Sequence, residues 1–136
     1  MTKVEVRSIE FKDVLDLPEA HSDERRTIYE RITELPDGSI RRISRSVVNA
    51  DEVVLGNHYH DFNQEFRGCG EGILYTAPKE DPSHITVQEL PPAGWAFSLP
   101  AGMAMALRLK KGAVHIFESD KSYGDGTNTH RIVLAE

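Results

Sequence analysis

The sequence contains little cysteine: Cys69 is the one cysteine among 136 residues. A single cysteine excludes an intrachain disulfide framework and is typical of proteins in a reducing compartment. Long hydrophobic runs are also missing, since no stretch approaches the ~20 apolar residues that a transmembrane helix requires. The N-terminus lacks the apolar segment of a signal peptide. These absences predict a cytoplasmic protein with no membrane partner.

Dense basic segments are absent as well. The net charge is −6, and the basic pairs at 25–26, 41–42 and 110–111 are isolated from one another. Because broad nucleic-acid binding needs many clustered phosphate contacts, this pattern argues against a nucleic-acid partner. The share of charged residues, 28%, is that of an ordinary globular protein. A chain of this length is expected to form one domain, residues 1–136, around a single core.

Short β-rich or alternating segments, separated by turn residues, make up much of the chain. Candidate strands lie at 3–9, 39–48, 53–60, 72–76, 84–90, 94–99, 103–109, 113–119 and 130–134. Segment 24–35 fits either a helix or one strand of a hairpin that turns at the following PDG sequence. Many short strands at near-regular spacing predict an all-β sandwich or barrel.

The segment GNHYHDFNQEFRGCGEGILYT, residues 56–76, contains half of a recognisable metal site. Residues i and i+2 of a strand share a face, so His58 and His60 are expected to point the same way. A hairpin through the next four residues would bring Glu65 back beside them. Two histidines and one carboxylate are a known ligand set for Fe(II), and also suit Zn, Mn or Ni.

The spacing of these residues resembles the two motifs of the cupin superfamily. The first motif is matched by a histidine pair, a glutamate and a glycine: His58, His60, Glu65 and Gly72. The second is matched by two glycines and a proline: Gly94, Pro100 and Gly102. Met105 occupies the slot of the second motif's histidine, the usual fourth ligand. The resemblance implies an all-β, single jelly-roll barrel with a conserved core at about residues 40–119.

Two segments resemble the sugar-nucleotide and polysaccharide-biosynthesis cupins: DERRTIYERIT at 23–33 and LGNHYH at 55–60. These relatives include dTDP-4-keto-6-deoxyhexose 3,4-ketoisomerases and the cupin domains of capsular polysaccharide enzymes. The resemblance to the ketoisomerases implies that His58 and His60 are the catalytic acid and base, without a metal. Two positions differ, because Leu55 stands where those relatives have arginine and Arg26 where they have glycine.

A metal-dependent site is the alternative interpretation of the same residues. It would hold one divalent ion, Fe, Mn, Ni or Zn, on His58, His60 and Glu65, with Met105 in the fourth slot. A thioether is a poor ligand for such ions and favours Cu(I). His115 is a weak substitute ligand, because its direction depends on how its strand pairs across the KKG turn at 110–112.

Alternation from Glu65 places the side chain of Arg67 inside the barrel as well. A guanidinium in that position needs a partner, because burying an unpaired charge is costly. The partner is either Glu65 or Glu71, or an anionic ligand that the guanidinium binds bidentately. Arg67 is therefore a candidate substrate-binding residue. Tyr75, whose hydroxyl could act as an additional acid, is a second candidate.

Three functions remain open from the sequence. The first is an isomerase or epimerase of carbohydrate or sugar-nucleotide metabolism, with proton transfer by the two histidines. The second is a metal-dependent dioxygenase or sugar-phosphate isomerase. The third is a non-catalytic cupin that binds a small-molecule ligand, either anionic or a sugar nucleotide. A homodimer is expected from the resemblance and from the exposed strand edges of small open barrels.

Overall fold

The computed structural model describes residues 4–13, 15–119 and 129–136. These residues form twelve strands and no helix: β1 Arg7–Ser8, β2 Glu19–Ser22, β3 Arg26–Glu34, β4 Ile40–Val48, β5 Glu52–His60, β6 Gln64–Cys69, β7 Gly72–Pro78, β8 Thr86–Leu90, β9 Trp95–Leu99, β10 Met103–Lys110, β11 Val114–Ser119 and β12 Thr129–Arg131. The all-β prediction is confirmed. Within the described ranges, no helix is long and apolar enough to cross a membrane.

The strands form two antiparallel sheets. The larger sheet has the order β1-β9-β6-β11-β4-β3-β2, and the smaller has the order β12-β5-β10-β7-β8. Consecutive strands such as β5 and β6, or β10 and β11, lie in different sheets. The chain therefore passes repeatedly from one sheet to the other, as in a jelly roll, and the predicted single jelly-roll barrel is confirmed.

The ambiguous segment 24–35 is a strand and not a helix. Its strand, β3, pairs with β4 along its whole length, and the two are joined by a turn in which Gly38 has a φ of 85°. Glycine adopts this conformation without the steric penalty of a Cβ atom. The β-branched residues of β3, Thr27, Ile28, Ile32 and Thr33, also suit a pleated sheet better than a helix.

The main apolar core lies between the two sheets. Its largest fully buried side chains include Trp95, Phe97, Leu74 and Leu107. A second, smaller apolar cluster lies on the outer face of the smaller sheet, where Leu134 and neighbouring tail residues cover three alanines: Ala77, Ala104 and Ala106. The C-terminal segment therefore packs against the outer face of the smaller sheet, which also contains β5, the strand of His58 and His60.

Candidate functional site

Strand β6 turns a different face to the core from the one expected. Gln64 and Phe66 are buried, whereas Glu65 is exposed. Phe66 stacks on Phe97 with ring centroids 4.9 Å apart, and burying such a ring stabilises the fold by about 2 kcal/mol. Burial of Phe66 fixes the alternation of the strand. The expected inward orientations of Glu65 and Arg67 are therefore wrong.

Glu65 and Arg67 belong to a polar cluster on the outer face of the larger sheet. The Ser98 hydroxyl donates to the Glu65 carboxylate, whose oxygens lie 2.7 and 2.8 Å away. Arg67 Nη1 lies 3.3 Å from one oxygen of Glu118, and Arg41 lies 3.1 Å from the other. The predicted ligand set of two histidines and Glu65 is not assembled, and Arg67 has a structural ion pair outside the barrel.

Tyr75, the other predicted substrate-binding residue, also faces away from the core. Its hydroxyl accepts a hydrogen bond from Arg108 Nε at 3.2 Å, and its ring packs against the apolar cluster behind the smaller sheet. The sheet therefore separates Tyr75 from the histidine pair. A role for Tyr75 beside those histidines is excluded by this placement.

A β-bulge in β5 directs His58 toward the core. Gly56 and His58 lie opposite two consecutive residues of β10, which leaves Asn57 as an extra residue. Gly56 and Asn57 have positive φ angles, 93° and 59°, which glycine and asparagine adopt more readily than other residues. In a regular strand, Leu55 and His58 would face opposite sides, because they are three positions apart and side chains alternate. With the bulge, both side chains face inward.

The side chain of Asn57 ties this bulge to the C-terminal segment. Its Oδ1 accepts hydrogen bonds from the backbone N–H groups of Leu134, at 2.8 Å, and Ala135, at 3.1 Å. Its Nδ2 donates to the Ala135 carbonyl at 2.9 Å, and its own carbonyl accepts from Ile132 N–H at 3.0 Å. The residue preceding His58 is thus fixed by four hydrogen bonds to the tail.

A cavity of about 230 Å³ lies between the two sheets and is called the inner cavity below. Its wall contains the imidazoles of His58 and His115, and three charged side chains from β3 and β4: Arg26, Glu30 and Arg42. Most of the remaining wall is apolar: Ile28, Leu55, Phe66, Met105, Leu107 and Phe117. This arrangement offers a small ligand two imidazoles and two guanidinium groups against an apolar background.

His58 and His60 lie side by side, with ring centroids 4.5 Å apart and ring planes at 59°. Within the described part of the chain, the wall of the inner cavity includes His58 and not His60. His60 is 2% exposed; its Nδ1 lies 3.1 Å from the Thr129 hydroxyl, and its ring stacks on Phe62 at 4.8 Å. His60 is therefore buried beside His58, outside the wall of the inner cavity.

His115 faces the inner cavity. The sequence-based prediction made its direction depend on pairing between β10 and β11 across the turn at 110–112, but these two strands do not pair. β11 pairs instead with β4 and β6, in the other sheet. Burial lowers the pKa of His115 to about 3, and the charge of Arg26 adds to the effect. Burial also lowers the pKa of His58, again with a contribution from Arg26. Both imidazoles are therefore neutral at neutral pH.

The charged side chains leave one positive charge in the wall without a partner. Arg42 Nη2 lies 3.3 Å from one Glu30 oxygen, and the other oxygen accepts a hydrogen bond from the Ser44 hydroxyl at 2.8 Å. Arg26 forms no salt bridge with any described residue, and its buried Nε has no hydrogen-bond partner among them. The sequence distinguished position 26 only as a departure from glycine, although the alternation of Arg26, Ile28 and Glu30 along β3 indicates a shared face.

The inward-facing residues at the predicted ligand positions do not fit a divalent metal ion. They are His58, His60, Met105 and Gln64, which occupies the inward position expected for Glu65. The wall of the inner cavity also contains His115 and Glu30, but the Glu30 carboxylate is paired with Arg42. Divalent ions in proteins favour carboxylate and imidazole ligands over thioether. Among the residues that the structure describes, no three His, Cys, Asp or Glu side chains are placed to bind a metal together.

No protein-family model and no curated protein matches this chain, but solved structures do. CapF, the capsular polysaccharide assembling protein of Staphylococcus aureus, matches with a TM-score of 0.66 and 16% identity over 88% of this chain and 33% of that chain. Oxalate decarboxylase from Bacillus subtilis matches with a TM-score of 0.62 and 14% identity over 93% of this chain and 31% of that chain. The chain has the cupin fold. It spans roughly a third of the length of both neighbours.

The glycines at the second-motif positions keep structural roles in this chain. A Cβ atom at Gly94 would collide with the carbonyl of Ile9, and Gly102 has a φ of 79° in the turn before β10. The two ligand positions have changed, since Gln64 and Met105 are the inward-facing residues there. The part of the motif pattern that shapes the barrel is retained, whereas the part that would bind a metal is incomplete.

Proposed function

We propose that this protein is a small-molecule cupin that acts as an isomerase or epimerase on a carbohydrate-type carbonyl compound, with His58 as the proton-transfer residue. One observation carries the proposal: the imidazole of His58 lies in the wall of a mostly apolar cavity of about 230 Å³. Its lowered pKa, caused by burial and then by Arg26, keeps it in the basic form at neutral pH. Such a group can accept and return a proton during turnover.

In an isomerisation, the neutral imidazole of His58 would take the proton from the carbon next to the carbonyl group. This step leaves an enediolate on the substrate and an imidazolium on the protein. The imidazolium then returns the proton to the former carbonyl carbon, while the hydroxyl proton moves from one oxygen to the other. The Arg26 guanidinium in the same wall would stabilise the negative charge that develops on the enediolate.

His60 acts in this scheme as a positioning residue. Its ring lies 4.5 Å from the ring of His58 and is held by Thr129 and Phe62. These contacts fix the orientation of the His58 imidazole toward the inner cavity. The two histidines, which the sequence assigned to acid and base, therefore have different roles in this scheme. His58 contacts the ligand, and His60 positions His58.

The size of the inner cavity limits the substrate. A volume of about 230 Å³ is below the ~300–1,000 Å³ of typical ligand pockets, so it suits a monosaccharide-sized group. The nucleotide part of a sugar nucleotide would have to lie outside. The fold shared with CapF, which is named for capsular polysaccharide assembly, is consistent with carbohydrate chemistry. The metal-dependent alternative has less support, because Glu65 is outside the barrel.

The test is exchange of substrate protons with solvent. Nucleoside diphosphate 4-keto-6-deoxyhexoses, hexose phosphates and uronates are incubated with the protein in D₂O, and the C–H signals next to the carbonyl are followed by ¹H NMR. We expect exchange with the wild-type protein and a rate at least ~100-fold lower with His58→Gln, on the scale of general acid–base catalysis. The exposed His84, changed to Gln, is the matched control.

Two results would count against the proposal. Exchange that is equally fast in His58→Gln would remove His58 from the chemistry. Binding without any exchange in the wild-type protein would instead support the non-catalytic ligand-binding cupin.

A further inference from the structure

We infer that the inner cavity binds the carboxylate group of a small organic monoanion, such as a sugar acid, with Arg26 as its counter-ion. The inference deepens the proposed function, because it names the substrate class of the same cavity. The inference rests on the proposed function because both concern the same cavity. It is tested by ligand binding, which is measured separately from turnover.

The charges in the cavity wall are the first part of the argument. Arg42 is paired with Glu30 at 3.3 Å, and their side chains are 13% and 21% exposed, so these two charges offset each other. Arg26 has no such partner among the described residues, and its Nε is buried. A guanidinium beside a mostly apolar wall is costly unless it is paired. A ligand that supplies one negative charge would remove this cost.

The magnitude of the charge distinguishes a carboxylate from a phosphate. A guanidinium can bind either group through two parallel hydrogen bonds. A phosphate monoester carries about −1.5 to −2 charges at neutral pH, which exceeds the single uncompensated charge of Arg26 and would place excess negative charge near Glu30. A carboxylate carries a single charge and matches Arg26. It also leaves most of the roughly 230 Å³ for the rest of the ligand.

The arginine on β6 is not an alternative site for the same anion. Arg67 already lies 3.3 Å from Glu118, which also pairs with Arg41, and all three side chains are on the outer face of the larger sheet. The sequence therefore predicted an anion-binding arginine at the wrong position. Arg67 now serves as the matched control, because it is an arginine that carries no cavity function.

The first experiment needs no ligand. If Arg26 is an unpaired charge kept for binding, Arg26→Met should raise the melting temperature of the free protein by about 3 °C, since an apolar group suits the wall better. Arg42→Met should lower the melting temperature, because Glu30 loses its ion-pair partner. A fall in Arg26→Met as large as the fall in Arg42→Met would show a structural role and overturn the inference.

The second experiment measures binding by calorimetry. The probes are four carboxylates (glycolate, glycerate, D-gluconate and D-glucuronate), neutral D-glucose, and D-glucose 6-phosphate. We expect at least one carboxylate to bind at least ten-fold more tightly than glucose and the phosphate, and Arg26→Gln to weaken its binding at least ten-fold. Arg67→Gln should bind as the wild type does. No carboxylate binding, equal binding of glucose or phosphate, or unchanged affinity in Arg26→Gln would each overturn the inference.

The failures of the two proposals can be told apart. Carboxylate binding that depends on Arg26, without proton exchange, would support this inference and contradict the isomerase. Exchange that depends on His58 but occurs on a neutral sugar, with no contribution from Arg26, would support the isomerase and contradict the carboxylate site.

Discussion

Replacing His115 with leucine should make the stability of the protein less sensitive to acid. His115 is buried beside Phe66 and Phe117, with ring centroids 6.4 and 6.0 Å away, and its pKa is lowered to about 3 by burial and by Arg26. The unfolded chain therefore binds a proton at this residue near pH 6.5 and the folded chain does not. Stability is unaffected by His115 above pH 6.5 and falls as the pH drops from 6.5 toward about 3.

The loss of stability on acidification is set by how far the pH lies below the unfolded-state pKa of His115, about 6.5. Each pH unit below 6.5 costs about 1.4 kcal/mol for one such group. At pH 5.0, about 1.5 units below the unfolded pKa, His115 alone should therefore reduce the free energy of unfolding by ~2 kcal/mol. The pKa of His58 is lowered in the same direction, so some acid sensitivity should remain after His115 is removed.

The assay is urea unfolding at pH 7.5 and pH 5.0, followed by the fluorescence of Trp95, which is the one tryptophan in the chain and is fully buried. Between these two pH values, His115→Leu should lose about 2 kcal/mol less stability than the wild type. The exposed His84, changed to Leu, should follow the wild type. If His115→Leu loses as much stability as the wild type on acidification, His115 is not a buried neutral imidazole and the assignment fails.

Three further predictions follow from the site and its supports. Met105→His should raise the affinity for Zn²⁺ measured by calorimetry, because it adds an imidazole opposite His58; no gain would contradict the placement of position 105. Asn57→Ala should lower the free energy of unfolding by ~2–3 kcal/mol and expose the C-terminal segment to protease, because three side-chain hydrogen bonds are lost; unchanged resistance to protease would contradict it. Sedimentation should show a homodimer, and a 15.3 kDa species alone at micromolar concentration would oppose this.

The all-β class could be predicted from the sequence because its signals are local, whereas the jelly roll was implied by the resemblance of the motif spacing to cupins. Period-two alternation and turn residues are read within a few positions, and the two histidines one residue apart needed only the pleat of one strand. The bulge at Gly56 and Asn57 was not predicted. It depends on pairing with β10 and on hydrogen bonds to residues near the C-terminus, about 78 positions away. Such long-range partners leave little trace in the local pattern.

The orientation of β6 shows how motif spacing can mislead. A hairpin through residues 61–64 and the resemblance to the first cupin motif both predict Glu65 beside the histidines, but neither tests which side chains of β6 are apolar. The two phenylalanines decide the matter instead, because Phe66 must stack on Phe97 between the sheets. Testing both alternations against the apolar residues of the strand would have placed Glu65 and Arg67 outside.

Arg26 was missed for a different reason. Its strand, β3, was ambiguous in sequence, so the side on which Arg26 lies could not be assigned. Only the pairing of β3 with β4 brings Arg26 and Glu30 to the inner face beside the imidazoles of His58 and His115. The Arg26 guanidinium is recognised as an unpaired charge only when the side chains around it in the fold are known.

The central claim, that the inner cavity is the ligand site, can be tested by NMR of protein labelled with ¹³C-methyl methionine. The chain has three methionines, of which Met105 lies in the cavity wall and Met103 in the core away from it. Met105→Leu assigns the relevant signal. On titration with the tightest-binding carboxylate, the Met105 methyl signal should shift in proportion to occupancy, while the Met103 signal stays in place and Arg26→Gln suppresses the shift. An unmoved Met105 signal at saturating ligand would contradict the account.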